Sequence, residues 1–266
     1  MAALVLTGAG LLFYAFRIEP ASLRLGRYDV EAPAPLKGLK IAVIADLHAG
    51  SPFIDEAKID QVVALTNAAR PDLIVLTGDY VVGVRRKYGG RRIPIKTIAA
   101  HLGALHAPLG TYAALGNHER WEGVGNDRVA AAFGAVKIRV LQNENVRIGS
   151  LYLVGIGDDH TRQSDPARAL SGVPRGAPAI CFTHSPDIFP RLPGTCALTL
   201  AGHSHGGQVR LPLLGRPILP LRTGQRYAAG LVREGGKTLF VSTGIGTSGL
   251  PVRLGVPPEI SLLSLR

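Results

Sequence analysis

The chain has 266 residues, 46% of them hydrophobic and only 18% charged, with 30 Lys and Arg against 19 Asp and Glu for a formal charge of +11. That length buries an ample core without staples, and the only cysteines, Cys181 and Cys196, have no CxxC spacing, which excludes a thiolate metal site and leaves them as expected core packing. The mean hydropathy of +0.20 is high for a soluble enzyme, and the basic excess suits an anionic partner such as lipid headgroups, nucleic acid or a phosphorylated substrate.

Ala2 to Phe16 is a near-continuous apolar run without charge, followed by Arg17, Glu19, Arg24 and Arg27. It is shorter than the ~20 residues that cross the hydrocarbon core. No basic segment precedes it and no small-x-small cleavage site follows it, so residues 1–17 are expected to be an anchor, interfacial or the back end of a longer one. A secretory signal is the competing reading. Positive charge after the run favours the cytoplasmic face of a bacterial inner membrane, with a periplasmic or secreted location as the alternative. Residues 18–38, with the Ala-Pro-Ala-Pro run at 32–35, read as a linker into one domain over 39–266.

Within that domain Leu39 to Ala45 is a buried strand by its Ile41, Val43 and Ile44. A helix spacing follows at Ile59, Val62, Val63 and Leu65, after Asp55 and Glu56, which suit a helix start. Leu73 to Leu76 is a second strand, Ile93 to His106 a helix, and Thr111 to Leu115 a third strand. This β-α-β-α-β rhythm predicts a parallel-rich sheet with functional residues at its strand ends. A short helix at Asn126 to Phe133 leads to strands at Val136 to Val140, Asn145 to Ile148 and Leu151 to Gly155. A helix at Asp165 to Leu170 and strands at Ala179 to Thr183 and Leu198 to Ala201 come next. Arg226 to Arg233 and Thr238 to Thr243 flank a Glu234-Gly235-Gly236-Lys237 turn, and Glu259 to Leu265 closes the chain. No internal repeat is evident. A two-sheet sandwich covered by helices fits this order.

Chemistry concentrates where these strands end: Ala45-Asp46-Leu47-His48, Thr77-Gly78-Asp79, Leu115-Gly116-Asn117-His118-Glu119, Phe182-Thr183-His184 and Ala201-Gly202-His203-Ser204-His205-Gly206-Gly207-Gln208. Taken singly they are weak, since a lone His184 on a strand is ordinarily a core histidine and Gly78-Asp79 ordinarily a turn. Together, in this order, they resemble the calcineurin-like metallophosphoesterase superfamily, whose pattern is DxH, GD, GNH[DE], a single H and GHxH.

The resemblance implies a four-layer αββα sandwich and two divalent metal ions. Asp46, His48 and His205 match the ligands of one metal, Asn117, His184 and His203 those of the other, and Asp79 the carboxylate shared by both. Mixed Asp, Asn and His ligation suits Mn, Fe or Zn better than Ca. Such a pair makes a metal-activated hydroxide for in-line attack on phosphorus, and His118 matches the residue that protonates the leaving-group oxygen. Glu119, where many relatives carry Asp, is expected to orient His118. His101 and His106 read as helix residues, and His160 as a loop residue that can reach the cleft.

Two further stretches bear on the substrate. Arg85 to Arg92 carries five positive charges just past Asp79, as a basic entrance or a solvated loop. Leu211 to Arg222 is apolar, proline-rich and aperiodic, as a membrane-dipping lip or a buried crossover. With the N-terminal run and the ending Leu250-Pro251-Val252-Arg253 to Pro257-Pro258-Glu259-Ile260, they resemble the bacterial membrane-associated YkuE/YaeI-type subgroup. Some relatives of that subgroup cleave the pyrophosphate of UDP-2,3-diacylglucosamine. The expected partners are a phosphorylated, lipid-linked substrate and an anionic membrane surface. A nuclease or soluble-substrate phosphodiesterase is the alternative; nucleic acid is disfavoured because only Tyr80 and Tyr88 lie near the basic loop. A non-catalytic scaffold should show a broken ligand set, and none is missing.

Overall fold

The computed structural model describes residues 2–266, with the side chains of residues 2–4 left aside. In chain order it has α1 (Ala2–Phe13), β1 (Arg24–Val30), β2 (Lys40–Ile44), α2 (Glu56–Ala68), β3 (Leu73–Leu76), α3 (Ile95–Leu102), β4 (Thr111–Ala113), α4 (Asn117–Trp121) and α5 (Asn126–Gly134). It continues with β5 (Ile138–Val140), β6 (Glu144–Ile148), β7 (Leu151–Gly155), α6 (Pro166–Ala169), β8 (Ala179–Phe182), β9 (Cys196–Ala201), β10 (Gly230–Glu234), β11 (Lys237–Val241) and β12 (Glu259–Leu265).

The strands form two six-stranded sheets, ordered β1-β12-β2-β3-β4-β5 and β10-β11-β9-β8-β7-β6. β2 through β5 are mutually parallel, as are β7, β8, β9 and β11. Strand side chains alternate between faces, and the chain uses both. Ile41 and Val43 point inward with Leu73, Val75, Phe182, Leu200 and Phe240 to form the core between the sheets. Their neighbours Ala42 and Ile44 point outward under α2, α3 and α5, against Ile59, Val62, Ile98 and Phe133. Each fully buried residue of this kind contributes roughly 1.5–3 kcal/mol.

These layers make the αββα sandwich expected from the sequence. The fourth layer is the thinnest: over the second sheet lie only the four-residue α6 and short 3₁₀ turns, with Ile188, Leu192 and Phe189 as their apolar contacts. Asp55 caps α2, its side chain accepting from the Lys58 N–H.

Two expectations change and a third is extended. The stretch 18–38 is not a free linker, because residues 24–30 add β1 in parallel to β12 along its whole length. The buried Glu259 carboxylate accepts from Arg24 and Tyr28 and ties that edge strand down. The strand expected from Arg226 starts later, since Gly224–Tyr227 is a 3₁₀ turn and β10 begins at Gly230. Cys181 and Cys196 are buried in the core as expected, and beyond that expectation they are joined in a disulfide with Cα atoms 5.4 Å apart, because neighbouring β8 and β9 bring them together. Within the described residues no helix is long and apolar enough to cross a membrane.

Candidate metal centre

Every candidate ligand follows the C-terminal end of a parallel strand. Asp46 and His48 follow β2, Asp79 follows β3, and Asn117 opens α4 after β4. His184 follows β8, and His203 and His205 follow β9. All of them are buried. The backbone there is unusual: Asp46, His48, Asp79, His203 and His205 all have φ between +46° and +67°. A non-glycine residue in that left-handed region costs on the order of 1–3 kcal/mol and persists only where its surroundings over-determine it. The loops interlock to do so, with the His48 N–H donating to the Asp79 carbonyl and the Gly246 N–H to the Asp46 carbonyl.

Two glycines make the approach possible. Gly78 has φ +101°, and a Cβ there would lie 2.6 Å from the Gly116 nitrogen. A Cβ on Gly116 would lie 2.2 Å from an Asp79 carboxylate oxygen. The GD and GN pairs of the sequence are therefore steric requirements of two loops pressed together.

Among the described residues the side chains converge in two groups joined by a third. Asp46, His48 and His205 bring one set of ligand atoms within 4.8 Å of one another, Asp79, His184 and His203 bring another, and His48, Asp79 and His118 make a third that overlaps both. Asn117 Oδ1 lies 3.0 Å from His184 Nε2 and joins the second. Asp79 stands between the groups, its Oδ2 3.5 Å from His48 Nε2 and 3.3 Å from His184 Nε2.

The protonation of these rings suits cations. His48 Nδ1 donates to the Val81 carbonyl, His184 Nδ1 to the Thr77 carbonyl and His203 Nε2 to the Pro220 carbonyl. Each ring thus turns its other nitrogen inward, the arrangement that orients metal-binding histidines. Those inward nitrogens face one another closely, His184 Nε2 at 3.0 Å from His203 Nδ1 and His48 Nε2 at 3.1 Å from His205 Nε2. Burial lowers His48 to about 3 and holds His203 and His205 well below the usual histidine range; it works to lower His184 too, but Asp79, Asp158 and Asp46 raise that ring well above the range. Neutral imidazoles are the ligating form. Burial also raises Asp46 to about 7, with Asp79 adding to the shift and His184 opposing it. Burial works to raise Asp79 too, but His184, His118 and His48 hold it well below the usual range. Buried carboxylates and inward ring nitrogens crowded within 3.0 to 3.5 Å of one another are what divalent cations relieve, and a cation there would displace the proton that Asp79 holds on His184, so the donor set fits the metals that the sequence implies.

His118 stands beside this cluster, its ring centroid 4.7 Å from that of His48. Its Nδ1 is buried without a hydrogen-bond partner, and its Nε2 lies 3.3 Å from Ser248 Oγ. The expected contact from Glu119 is absent. That carboxylate accepts from the backbone N–H groups of Gly116, Tyr80 and Asp79, because the third position of α4 aims back at the helix start. Glu119 therefore braces the Asp79 loop, and Ser248 holds His118.

Sequence reasoning missed Ser248, whose signal was the glycine-alternating run Thr243-Gly244-Ile245-Gly246-Thr247-Ser248-Gly249. It also missed Arg253, fully buried and donating to the carbonyls of Gly246, Val256, Thr243 and Gly244. Burial lowers its guanidinium to about 10, against the pull of Asp46, Glu19 and Glu259. His101 is a helix residue, as expected, and pairs with Asp60, whereas His106, expected in the same helix, lies beyond its end at Leu102. His160 does reach the site, its ring centroid 4.5 Å from that of His203.

The fold and this constellation define a metal-dependent phosphoesterase. The calcineurin-like phosphoesterase family matches residues 39–207, and the chain belongs to that family of hydrolases. It is 32% identical to phosphodiesterase YaeI of Escherichia coli over 97% of this chain and 93% of that protein. It is 29% identical to the uncharacterized metallophosphoesterase YkuE of Bacillus subtilis over 100% and 93%. It is 28% identical to the UDP-2,3-diacylglucosamine pyrophosphatase LpxG of Chlamydia trachomatis over 94% and 91%.

Proposed function

We propose that the protein is a dinuclear metal-dependent hydrolase of a phosphodiester or pyrophosphate carried on a lipid at an anionic membrane surface. Asp46, His48 and His205 would hold one ion, Asn117, His184 and His203 the other, and Asp79 would be shared by both; Mn, Fe and Zn all suit this donor set. Bound there, the ions supply an activated water and neutralise phosphoryl charge. The chain's own contribution to leaving-group departure is His118. As an imidazolium it donates Nε2–H to Ser248 Oγ and passes its Nδ1 proton to the departing oxygen, ending neutral with the serine bond intact.

The observation that carries the lipid reading is a groove of about 420 Å³ whose walls include His205 and Ser248. Val209, Ile218, Leu219, Pro220, Leu250 and Val252 make the rest of it largely apolar, and its volume is that of ligand pockets generally. An apolar groove walled by a metal-ligand candidate and by the partner of the proton donor suits an acyl chain whose phosphate lies on the metals. Its surroundings are also apolar. Leu211 and Gly215 bond to each other across a tight turn that holds Leu213 fully exposed and Leu214 at 74%. Phe16 shares a recess with Pro251, next to Leu250 of the groove. Arg85 and Arg86 line a neighbouring recess, and the bridge from Val84 to Gly249 sets that basic loop beside the groove. Arg91 and Arg92 in the same loop pair with Glu56 and Glu122. Similarity to LpxG, a pyrophosphatase of a diacylated sugar nucleotide by its name, supports the same substrate class.

The buried Cys181–Cys196 disulfide supports the non-cytoplasmic face, since such bonds persist in oxidising compartments. It outweighs the charge after α1 as a guide to the side. The test is turnover of a lipid-linked pyrophosphate in detergent, compared with bis-p-nitrophenyl phosphate and single-stranded DNA, each with added Mn. Preference for the lipid-linked substrate is expected. Preference for DNA would overturn the lipid reading and install the nuclease.

A further inference from the structure

The candidate ligand histidines differ in what stands behind them. His48 and His184 turn their outer nitrogens to the carbonyls of Val81 and Thr77, both in the stretch that directly follows β3. His203 instead donates its Nε2–H to the Pro220 carbonyl, 3.2 Å away in the proline-rich loop that follows the ligand motif. That loop is a weak support by itself. Ile218 is 77% exposed and Pro220 is exposed too, and Pro217 and Pro220 lack an N–H with which to join a backbone ladder. The carbonyl that orients His203 therefore depends on how the far end of the loop is fastened.

Asp187 fastens it. This buried residue lies three positions after His184, in the 3₁₀ turn Pro186–Arg191. Its Oδ2 accepts from the Arg222 N–H at 3.0 Å, and its Oδ1 accepts from the Thr223 N–H at 3.1 Å and the Thr223 hydroxyl at 2.6 Å. These anchor points are the second and third residues beyond Pro220. The Arg222 guanidinium adds a tie to the buried Asp159, which also holds Arg191 and Ser164. The connections close a ring. His184 leads along the chain to Asp187, across hydrogen bonds to residues 222 and 223, and back along the chain to Pro220. From there the carbonyl reaches His203, whose Nδ1 stands 3.0 Å from His184 Nε2. Both histidines of the ring are assigned to the same ion, and Asp46, His48 and His205 lie outside it.

We propose that Asp187 is a positioning residue for the ion assigned to Asn117, His184 and His203, acting through Arg222, Thr223 and the Pro220 carbonyl to keep His203 Nδ1 turned inward. The proposal rests on the dinuclear reading above and deepens it. Asp187 touches neither the ligand cluster nor the groove; it acts only through the loop it fastens. An outer hydrogen bond fixes the tautomer and ring orientation of a ligating histidine, and losing such a partner typically weakens metal binding 10- to 100-fold. Because Asp187 is carried by the His184 loop and grips the loop that orients His203, it also sets the spacing of these two ligands. The side chain of Arg222 is 63% exposed, and an ion pair so exposed contributes little by itself, so the backbone bonds to Asp187 carry most of the effect.

The test is calorimetric titration of the metal-free protein with zinc. In Asp187→Ala one of the two ions should bind roughly 10- to 100-fold more weakly. Asp187→Asn, which keeps one accepting oxygen, should lose less, and Arg222→Gln least. The last alters a mostly exposed side chain, so it keeps the test open should the buried change unfold the protein. Asp187→Ala added to His203→Ala should leave the affinity of the remaining ion unchanged, because both changes act on the same ligand. A general loosening of the fold would weaken both ions, and equal weakening of the two, or no weakening in any variant, would overturn the proposal. A second readout needs no metal. The proton on His203 Nε2, assigned by its absence from His203→Ala, should give a slowly exchanging downfield NMR signal that Asp187→Ala loses, and its persistence there would equally overturn the positioning role. Hydrolysis of bis-p-nitrophenyl phosphate is followed in parallel: its absence with every metal would sink the hydrolase reading, while the NMR signal still decides on Asp187.

Discussion

The two sheets face one centre but bring different chemistry to it. The first, through the ends of β2, β3 and β4, supplies every carboxylate of the proposed ligand set, the amide of Asn117 and the proposed proton donor His118. The second, through β8 and β9, supplies imidazoles alone. The second sheet has carboxylates close by, yet Asp158, Asp159 and Asp187 are spent on loops: they hold the His160 turn, Arg191, and the Arg222–Thr223 backbone. Charge for the cations therefore comes from one sheet and neutral ligation from both. The interface between the sheets is bridged at this end by ligand geometry, in contrast to the apolar packing of Val43, Val75, Phe182 and Leu200 behind it.

The sharpest way to break this contrast is to remove one ligand of each kind. Asp79→Ala deletes the carboxylate proposed to serve both groups, so both metals and all diester hydrolysis should be lost. His203→Ala deletes a neutral ligand of one group and should leave one metal per chain. Elemental analysis separates the two outcomes, and two metals retained in Asp79→Ala would refute the bridging role.

His118→Ala should keep both metals while turnover falls ~10²- to 10⁴-fold, the usual share of general acid catalysis. The fall should shrink for p-nitrophenolate, which leaves without a proton. Equal losses for good and poor leaving groups would show that His118 is not the donor. Ser248→Ala removes one hydrogen bond to that ring, worth ~0.5–1.5 kcal/mol, so a loss of a few-fold to about tenfold is expected, again larger for poor leaving groups. An unchanged leaving-group dependence would mean that the serine does not act through His118.

The smallest effect on chemistry should come from the double change Leu213→Asp with Leu214→Asp. Hydrolysis of a soluble diester should be unaltered, because these side chains point to solvent. Binding to anionic vesicles should drop, and drop further as salt screens the basic loop. Vesicle binding indifferent to both changes would remove the membrane from the proposed function.

What the sequence disclosed follows from which signals are local. Strand ends carrying Asp46, Asp79, Asn117 and His203 were legible because apolar runs, glycines and ligand residues sit side by side in the chain. β1 was not, since Arg24-Leu25-Gly26-Arg27-Tyr28 looks polar and its stability comes from pairing with β12 some 235 residues away in sequence, through Arg24 and Glu259. The task of Glu119 was misjudged for a similar reason: its neighbour in sequence is His118, but two of the three donors it meets, the Asp79 and Tyr80 N–H groups, come from the Asp79 loop.

The seam between the N-terminal helix and the enzyme has a practical consequence. The Glu19 carboxylate accepts from the Gly255 and Val256 N–H groups, and the Ala15 carbonyl accepts from Arg253 N–H. Arg253 in turn gathers the carbonyls of the loop that passes over Asp46 and carries Ser248. Residues 15–19 are thus a keystone of the catalytic loop, and the helix ahead of them is fastened to it without slack. A shortened chain that starts at Tyr14 keeps the keystone and should retain the fold and the diester activity of the whole. One that starts at Ala21 leaves three backbone donors, the N–H groups of Arg253, Gly255 and Val256, short of partners, and it should melt earlier and turn over more slowly even on a substrate that never meets a membrane.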